Sequence, residues 1–136
     1  MSGFVLDAST ALAWCFKDES SADADRAQQI LADSTALVPR IWHAEVANGL
    51  LAGERRKRID AVDLERSLIL LRTFDIRTDS DDLAGRLLAI IQLARRYRLS
   101  FYDSVYLDLA MRERLPLATV DTALARAAQA AGVTPA

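Results

Sequence analysis

Short strand-like segments alternate with longer helix-like segments along the chain. The strand-like segments are Phe4 to Leu6, ALV before Pro39, DIRT and PLATV. Segments with helical spacing of apolar residues fill the rest: STALAWCF, SADADRAQQILAD, IWHAEVANGLLAG, DAVDLERSLILLRTF, DSDDLAGRLLAIIQLARR, SFYDSVYLDLAMRER and DTALARAAQAA. This alternation predicts an α/β fold, a three-layer α/β/α sandwich around a short, mostly parallel sheet. No repeat, low-complexity tract or long Gly/Pro linker divides the sequence, so we expect one domain spanning residues 1–136.

Polar residues and glycines indicate where helices begin and end. Asp60 precedes an apolar periodic segment as a favoured N-cap residue, and Gly53 is predicted to end the helix before it. After Asp60, the spacing of Leu64, Leu68 and Leu71 predicts one shared buried face.

Composition narrows the class of protein and the kinds of site. With 51% hydrophobic and 26% charged residues, the chain is typical of a soluble domain. Its apolar stretches are too short to span a bilayer and its start does not resemble a signal peptide, so we expect a cytoplasmic protein without a membrane segment. Cys15 and His43 are the only residues of their types, which excludes an internal disulfide, zinc fingers and two-histidine metalloprotease motifs. Any metal site would therefore use oxygen ligands.

Two acids follow predicted strands directly. Asp7 comes after Phe4 to Leu6, and Asp121 comes after the run LATV. Ligands of open parallel sheets bind at the carboxyl ends of the strands, where both acids are expected. Each acid also precedes a predicted helix, so N-capping alone is an alternative for either one. Two like charges at the same edge repel each other unless they share a cation or a proton, and the pair therefore indicates a site.

Two further acids lie on predicted helices. Glu45 lies in WHAEVANGLL, one helical turn before Asn48. Its alternative interpretation is an exposed glutamate on an amphipathic helix. Asp103 lies in SFYDSVY, three residues after Ser100, which is also the spacing of a capping box.

Taken together, the order and context of the four acids resemble those of the PIN-domain ribonucleases, and specifically the VapC-type toxins of bacterial toxin-antitoxin pairs. The resemblance covers nearly the whole chain. The matching motifs are DAST (Asp7, Ser9), AEVANGL (Glu45, Asn48), YDSVYLDLA (Asp103, Tyr106) and LATVD (Thr119, Asp121).

This resemblance implies a metal-dependent endoribonuclease that acts as a toxin. It implies Mg²⁺ or Mn²⁺ as the cofactor, held by Asp7, Asp103 and Asp121, with Glu45 completing the acidic cluster as a ligand or as the group that orients the attacking water. The residues expected to support this cluster are Ser9, Asn48 and Thr119. The implied partners are an RNA substrate, a cognate antitoxin protein and a second copy of the chain in a homodimer.

An RNA substrate requires cations near the site, although the net charge of the chain is -2. Two basic clusters lie next in sequence to proposed site residues: Arg55, Arg56, Lys57 and Arg58 in ERRKR, and Arg95, Arg96 and Arg98 in ARRYR. These cations either contact RNA phosphates or are simply solvated at helix ends, where positive charge is also favoured. The salt dependence of RNA binding distinguishes the two interpretations. The neighbouring aromatic residues Tyr97, Phe101 and Tyr102 are candidates to stack bases or to pack in the core.

There are three alternatives to this function. A haloacid-dehalogenase-like phosphatase needs a second aspartate two residues after Asp7, where this chain has Ser9. A response-regulator receiver domain needs adjacent acids early in the chain and a late lysine, but the only lysines are Lys17 and Lys57. The remaining alternative is a catalytically silent dimeric module that docks a basic peptide in the acidic pocket.

Overall fold

A parallel sheet lies at the centre of the fold. The computed structural model describes residues 3–80 and 82–136. In chain order the elements are β1 (Gly3–Leu6), α1 (Ala8–Cys15), a 3-10 turn (Lys17–Glu19), α2 (Ala22–Leu31), β2 (Thr35–Val38), α3 (Ile41–Arg55), α4 (Ala61–Arg72), β3 (Ile76–Thr78), α5 (Leu83–Tyr97), α6 (Phe101–Glu113), β4 (Leu117–Ala118) and α7 (Thr122–Ala130). The predicted α/β fold is confirmed, with helices flanking a four-stranded sheet whose described strands are all parallel.

The strand order places β1 between β2 and β4. Across the sheet the order is β3-β2-β1-β4, so the chain builds outward from β1 in one direction and then returns to add β4 on its other side. Val5 pairs with Leu117, and the backbone N–H of Asp7 donates to the carbonyl of Ala118 at 3.0 Å. Such a reversal opens a crevice between the carboxyl ends of the two strands, and ligands bind there in open α/β sheets.

Helix α6 passes through the core beside this crevice. Every residue from 104 to 110 is buried, although an ordinary surface helix buries only one face. Helix α6 packs against α5, α7, β1 and β4. Asp103 directly precedes this segment and is half-buried, so the core holds its backbone at the edge of the protein interior.

Helices α1 and α3 pack closely because two glycines of α3 face α1 and the residue that directly follows it. A Cβ atom at Gly49 would lie 2.5 Å from Cδ1 of Leu12, and one at Gly53 would overlap the ring of Phe16. The prediction that Gly53 ends the helix is wrong, since α3 continues to Arg55. The absence of a side chain at Gly53 allows close helix packing and does not mark the end of α3.

Helix α4 confirms one local prediction and contradicts another. Asp60 is its N-cap residue in a complete capping box. Leu64 is partly buried and Leu71 is buried, but Leu68 is 42% exposed, so the predicted shared face is wrong at that position. Ser67 is buried instead of Leu68, because Ser67 lies one helical turn before Leu71 on the side of α4 that contacts the core.

No helix within residues 3–80 and 82–136 combines the length and apolar character needed to cross a membrane.

Candidate functional site

Asp7 lies buried at the end of β1, and its carboxylate does not cap the helix that follows. It occupies the N-cap position of α1, but its side chain makes no capping hydrogen bond there. Instead Oδ2 accepts hydrogen bonds from the hydroxyls of Ser9 at 2.6 Å and Thr119 at 2.7 Å. Ser9 lies in the first turn of α1 and Thr119 directly follows β4, so the two hydroxyls fix the carboxylate where the carboxyl ends of β1 and β4 meet. N-capping therefore does not explain this side chain.

Asp121 combines a capping role with a place at the same edge. Its Oδ1 accepts from the backbone N–H of Leu124 at 2.8 Å and so caps α7. Its own N–H donates to the hydroxyl of Thr119 at 3.0 Å. Thr119 therefore connects the backbone of Asp121 to the carboxylate of Asp7. The Oδ2 atom of Asp121 takes no part in the cap.

Asp103 lies in the first turn of α6. The Ser100 hydroxyl caps this helix by accepting from the backbone N–H of Asp103 at 3.1 Å, as the spacing predicted. Burial raises the pKa of the Asp103 carboxyl, and the negative charges of Asp121 and Asp7 raise it further. The carboxylate of Asp103 is thus within electrostatic reach of both strand-end acids.

Glu45 lies in the second turn of α3 and is partly buried rather than fully exposed. Its Oε1 accepts a hydrogen bond from the hydroxyl of Tyr106, a completely buried residue of α6, at 2.6 Å. Burial raises the pKa of Glu45, the Tyr106 hydrogen bond lowers it, and the charge of Asp103 raises it. The simple interpretation of an exposed helical glutamate does not fit this arrangement.

The four acids form one electrostatic group. Burial is the largest cause of the raised pKa of Asp7; the Ser9 and Thr119 hydroxyls oppose it, and the charges of Glu45 and Asp121 add to it. Asp7 and Asp121 act on Asp103, and Asp103 acts on Glu45. The structure thus brings together the four acids predicted from the sequence. Like charges that raise one another's pKa favour a bound cation or a shared proton.

The donor set of this group fits a hard divalent cation. All of its side-chain donors are oxygens, which Mg²⁺ and Mn²⁺ prefer. In the part of the chain that the structure describes, no three His, Cys, Asp or Glu side chains form a ready-made ligand set for one metal ion. Mg²⁺ is commonly held by only one or two carboxylates, with waters and substrate phosphates completing its shell. The acids of the crevice fit that kind of site better than a closed protein cage.

A family comparison agrees with this site. Residues 4–130 match the family model described as PIN domain. The chain belongs to the PIN domain family. Proteins of this family are generally nucleases and typically use divalent metal ions.

Two solved structures are similar to this PIN domain in fold. The crystal structure of PAE2754 from Pyrobaculum aerophilum has a TM-score of 0.70 at 20% identity, covering 92% of this chain and 84% of that chain. A toxin-antitoxin complex from Klebsiella pneumoniae has a TM-score of 0.58 at 22% identity, covering 88% of this chain and 87% of that chain. Comparison with curated proteins gave no significant match.

The remaining candidates of this PIN domain are all solvent-accessible. Asn48 is exposed on α3, one turn beyond Glu45. Three residues after α3, Arg58 lies with its guanidinium 4.3 Å from the ring centroid of Phe16 and pairs with Asp18 at 2.7 Å and Glu19 at 3.2 Å. It therefore ties the end of α3 to the segment after α1. The other basic candidates are exposed: Arg55, Arg56, Lys57, Arg95, Arg96 and Arg98.

One polar network of this PIN domain was not predicted from the sequence. The carboxylate of Asp108, buried on α6, pairs with Arg86 of α5 and accepts from Nε of Arg112 at 3.0 Å. Arg112 also pairs at 3.0 Å with Asp79, just after β3. The i, i+4 spacing of Asp108 and Arg112 was visible in the sequence, but the partners on other elements were not. This network joins α5, α6 and the segment after β3.

Proposed function

We propose that this PIN domain is a metal-dependent endoribonuclease that acts as the toxin of a toxin-antitoxin pair. The observation that carries the proposal is the position of Asp7, whose buried carboxylate is held by two hydroxyls at the crevice between β1 and β4. A carboxylate that serves only as an N-cap would bond to the helix, and this one does not. Its coupling to three other acids supports a cation-binding role.

The acids have separate proposed roles. Asp7, Asp103 and Asp121 would hold Mg²⁺ or Mn²⁺, directly or through water. Such a cation supplies Lewis-acid stabilisation of charge on the phosphate oxygens and eases deprotonation of a nucleophilic water. Ser9 and Thr119 hold the carboxylate of Asp7 in one orientation.

Glu45 would complete this group by orienting the attacking water or by contacting the cation. The Tyr106 hydroxyl engages Oε1 and thereby restricts the rotation of the carboxylate. Oε2 is the oxygen that Tyr106 does not engage, and we assign the water contact to it.

The proposed partners are an antitoxin protein, an RNA and a second copy of the chain. The toxin-antitoxin complex from Klebsiella pneumoniae, which shares the fold, supports the first of these. The acidic crevice would accept a basic segment of such an antitoxin. Exposed apolar residues on one helix, α5, support association with another chain: Leu83, Leu87, Leu88 and Ile91.

The first experiment is cleavage of a mixed tRNA and rRNA preparation by purified, antitoxin-free protein with Mg²⁺ or Mn²⁺. We expect cleavage that stops when a chelator is added and is absent in Asp7→Asn. Asp33→Asn, at an exposed acid outside the crevice, is the matched control and should cleave like the wild type.

The same preparation also tests the alternative function. A folded protein that neither cleaves RNA nor binds a divalent cation would contradict the nuclease proposal. It would favour the silent module that docks a basic peptide.

A further inference from the structure

The two basic clusters lie at different distances from the carboxylates. Arg55 is ten residues beyond Glu45 on the same helix, which places it about 15 Å away along the axis of α3. Arg98 ends α5, and only Leu99 separates it from Ser100, the N-cap residue of α6. The cluster at the end of α5 is therefore next to the turn that carries Asp103.

The two clusters differ in their ion pairs at one residue, Arg58, since Arg55, Arg56 and Lys57 make no ion pair within the described residues. Arg58 already pairs with Asp18 and Glu19. Arg95, Arg96 and Arg98, at the end of α5, make no ion pair within residues 3–80 and 82–136, and Arg96 lies with its guanidinium 5.5 Å from the ring centroid of Tyr97. Exposed arginines without a carboxylate partner remain able to bind phosphate groups.

Tyr102 is the aromatic side chain most available to a ligand in this region. It is 58% exposed, whereas Tyr97 and Phe101 are both partly buried. The rings of Phe101 and Tyr102 meet edge to face, with centroids 6.1 Å apart. Of the three aromatic candidates, the structure thus leaves Tyr102 as the one that presents most of its surface to solvent.

The helical rotation of α6 defines the side of the helix on which Tyr102 lies. Successive residues are rotated by about 100°, so Tyr106 is rotated about 40° from Tyr102, and Asp103 about 100° in the same sense. These two residues mark the side of α6 that faces the carboxylates. Asp108, which pairs with Arg86 of α5, is rotated about 120° in the opposite sense. Tyr102 therefore lies between the side of α6 that faces α5 and the side that faces the acids.

We propose that Tyr102 and the arginines at the end of α5 form the RNA subsite beside the carboxylates. Tyr102 stacks on an unpaired base next to the scissile phosphate, and Arg95, Arg96 and Arg98 contact the adjoining phosphates. The basic segment at the end of α3 takes no part. Aromatic stacking combined with arginine contacts is the usual chemistry by which proteins bind single strands. This inference rests on the proposed function, since it assigns the substrate contacts of the same site.

The test measures binding rather than cleavage, in the Asp7→Asn background. Fluorescence anisotropy follows a labelled, unstructured RNA 12-mer and the same sequence as a duplex, at constant Mg²⁺. Tyr102→Leu should weaken binding of the single strand by about 5- to 100-fold, the effect expected from loss of one base stack. Tyr102→Phe should bind within about 2-fold of the parent Asp7→Asn protein, because the stacking ring is kept. The duplex should bind more weakly and respond little to either variant.

A pair of charge-matched variants tests the arginines. One carries Arg95→Gln, Arg96→Gln and Arg98→Gln, and the other carries Arg55→Gln, Arg56→Gln and Lys57→Gln, so each loses three positive charges. Up to three lost phosphate contacts should reduce the slope of log K against log salt by about 2 in the first variant. The second variant should leave this slope nearly unchanged. Circular dichroism melts confirm that each variant is folded.

Two results would overturn the inference: unchanged affinity in Tyr102→Leu, or equal losses of slope in the two triple variants. Because the readout is binding, its failure is distinct from that of the proposed function. A wild type that does not cleave RNA, but shows this binding pattern in its variants, would contradict only the nuclease proposal.

Discussion

The hydroxyl of Tyr106 donates a hydrogen bond to Oε1 of Glu45 at 2.6 Å, joining α6 to α3. Tyr106 is completely buried, and burial together with the Glu45 bond raises the pKa of its phenol far above the ordinary value. The phenol therefore stays protonated and remains a donor at neutral pH. One side of Glu45 is thus held by a hydrogen bond from the core.

We expect Tyr106→Phe to lower the kcat of RNA cleavage by about 10-fold with little change in KM, because Glu45 loses its fixed orientation. The free energy of unfolding should fall by about 1 kcal/mol through loss of one hydrogen bond. Steady-state cleavage and urea unfolding measure the two effects. Tyr97→Phe, at a partly buried tyrosine of α5, is the control and should be nearly silent in both. An unchanged kcat in Tyr106→Phe would contradict the assigned role of Glu45 and its hydrogen bond.

The raised pKa values predict how stability depends on pH in the absence of divalent ions. The folded pKa of Asp7 is raised above its ordinary value of 3.8, chiefly by burial, so the folded state binds the proton more tightly than the unfolded state. Its contribution to stability is fully present below pH 3.8 and is lost as the pH rises through the folded pKa. Asp7→Asn should therefore gain stability relative to the wild type as the pH rises above about 4.

Urea unfolding in chelator between pH 4 and 8 measures this difference, with Asp33→Asn as the control for simple loss of one negative charge. If the difference in free energy of unfolding between Asp7→Asn and the wild type stayed constant across this range, the folded protein would not raise the pKa of Asp7.

Binding of a divalent cation should offset the mutual repulsion of the acids and so stabilise the folded protein. At a concentration of Mg²⁺ or Mn²⁺ that is 100 times Kd, we expect the free energy of unfolding of the wild type to rise by about 2.7 kcal/mol. The gain should be much smaller in Asp7→Asn. Thermal melts with the divalent salt and with NaCl at equal ionic strength separate specific binding from screening. Equal shifts in the two salts would argue against a metal site.

Thr119 offers a conservative test of how Asp7 is held. Thr119→Val removes the hydroxyl that bonds Oδ2 of Asp7 and accepts from the N–H of Asp121, while it keeps the shape of the side chain. Metal affinity and cleavage should fall by about 10- to 100-fold. Thr119→Ser keeps the hydroxyl and should retain most of both, as measured by isothermal titration calorimetry and RNA cleavage. Similar losses in the two variants would point to packing rather than to the hydrogen bonds.

The network around Asp108 should contribute to stability. Asp108→Asn removes the charge that faces Arg86 and Arg112 in a buried position, and we expect the free energy of unfolding to fall by about 3 kcal/mol. The control is Asp23→Asn, which breaks an exposed pair with Arg26 and should cost less than about 1 kcal/mol. Urea unfolding compares the two. Equal effects would mean that burial adds nothing to the Asp108 pairs.

Local sequence patterns were sufficient to predict much of the fold and the two strand-end acids, whereas Glu45 and Asp103 joined the candidate site only through the resemblance to PIN-domain ribonucleases. The alternation of strand and helix periods led to the α/β fold, since these periods are properties of neighbouring residues. The acids after β1 and β4 were expected at one edge because parallel strands present their carboxyl ends together. The Ser100 and Asp60 caps were also predictable, as each joins residues three positions apart.

The sequence by itself determined the types of element and the residues at their ends, but not which distant side chains meet. It could not distinguish Asp7, whose carboxylate leaves its helix uncapped, from Asp121, which caps one. Nor could it reveal the Tyr106 bond to Glu45 or the two different locations of the basic clusters. Only the tertiary structure decided these points, because strand order and helix packing bring together residues that no local spacing relates.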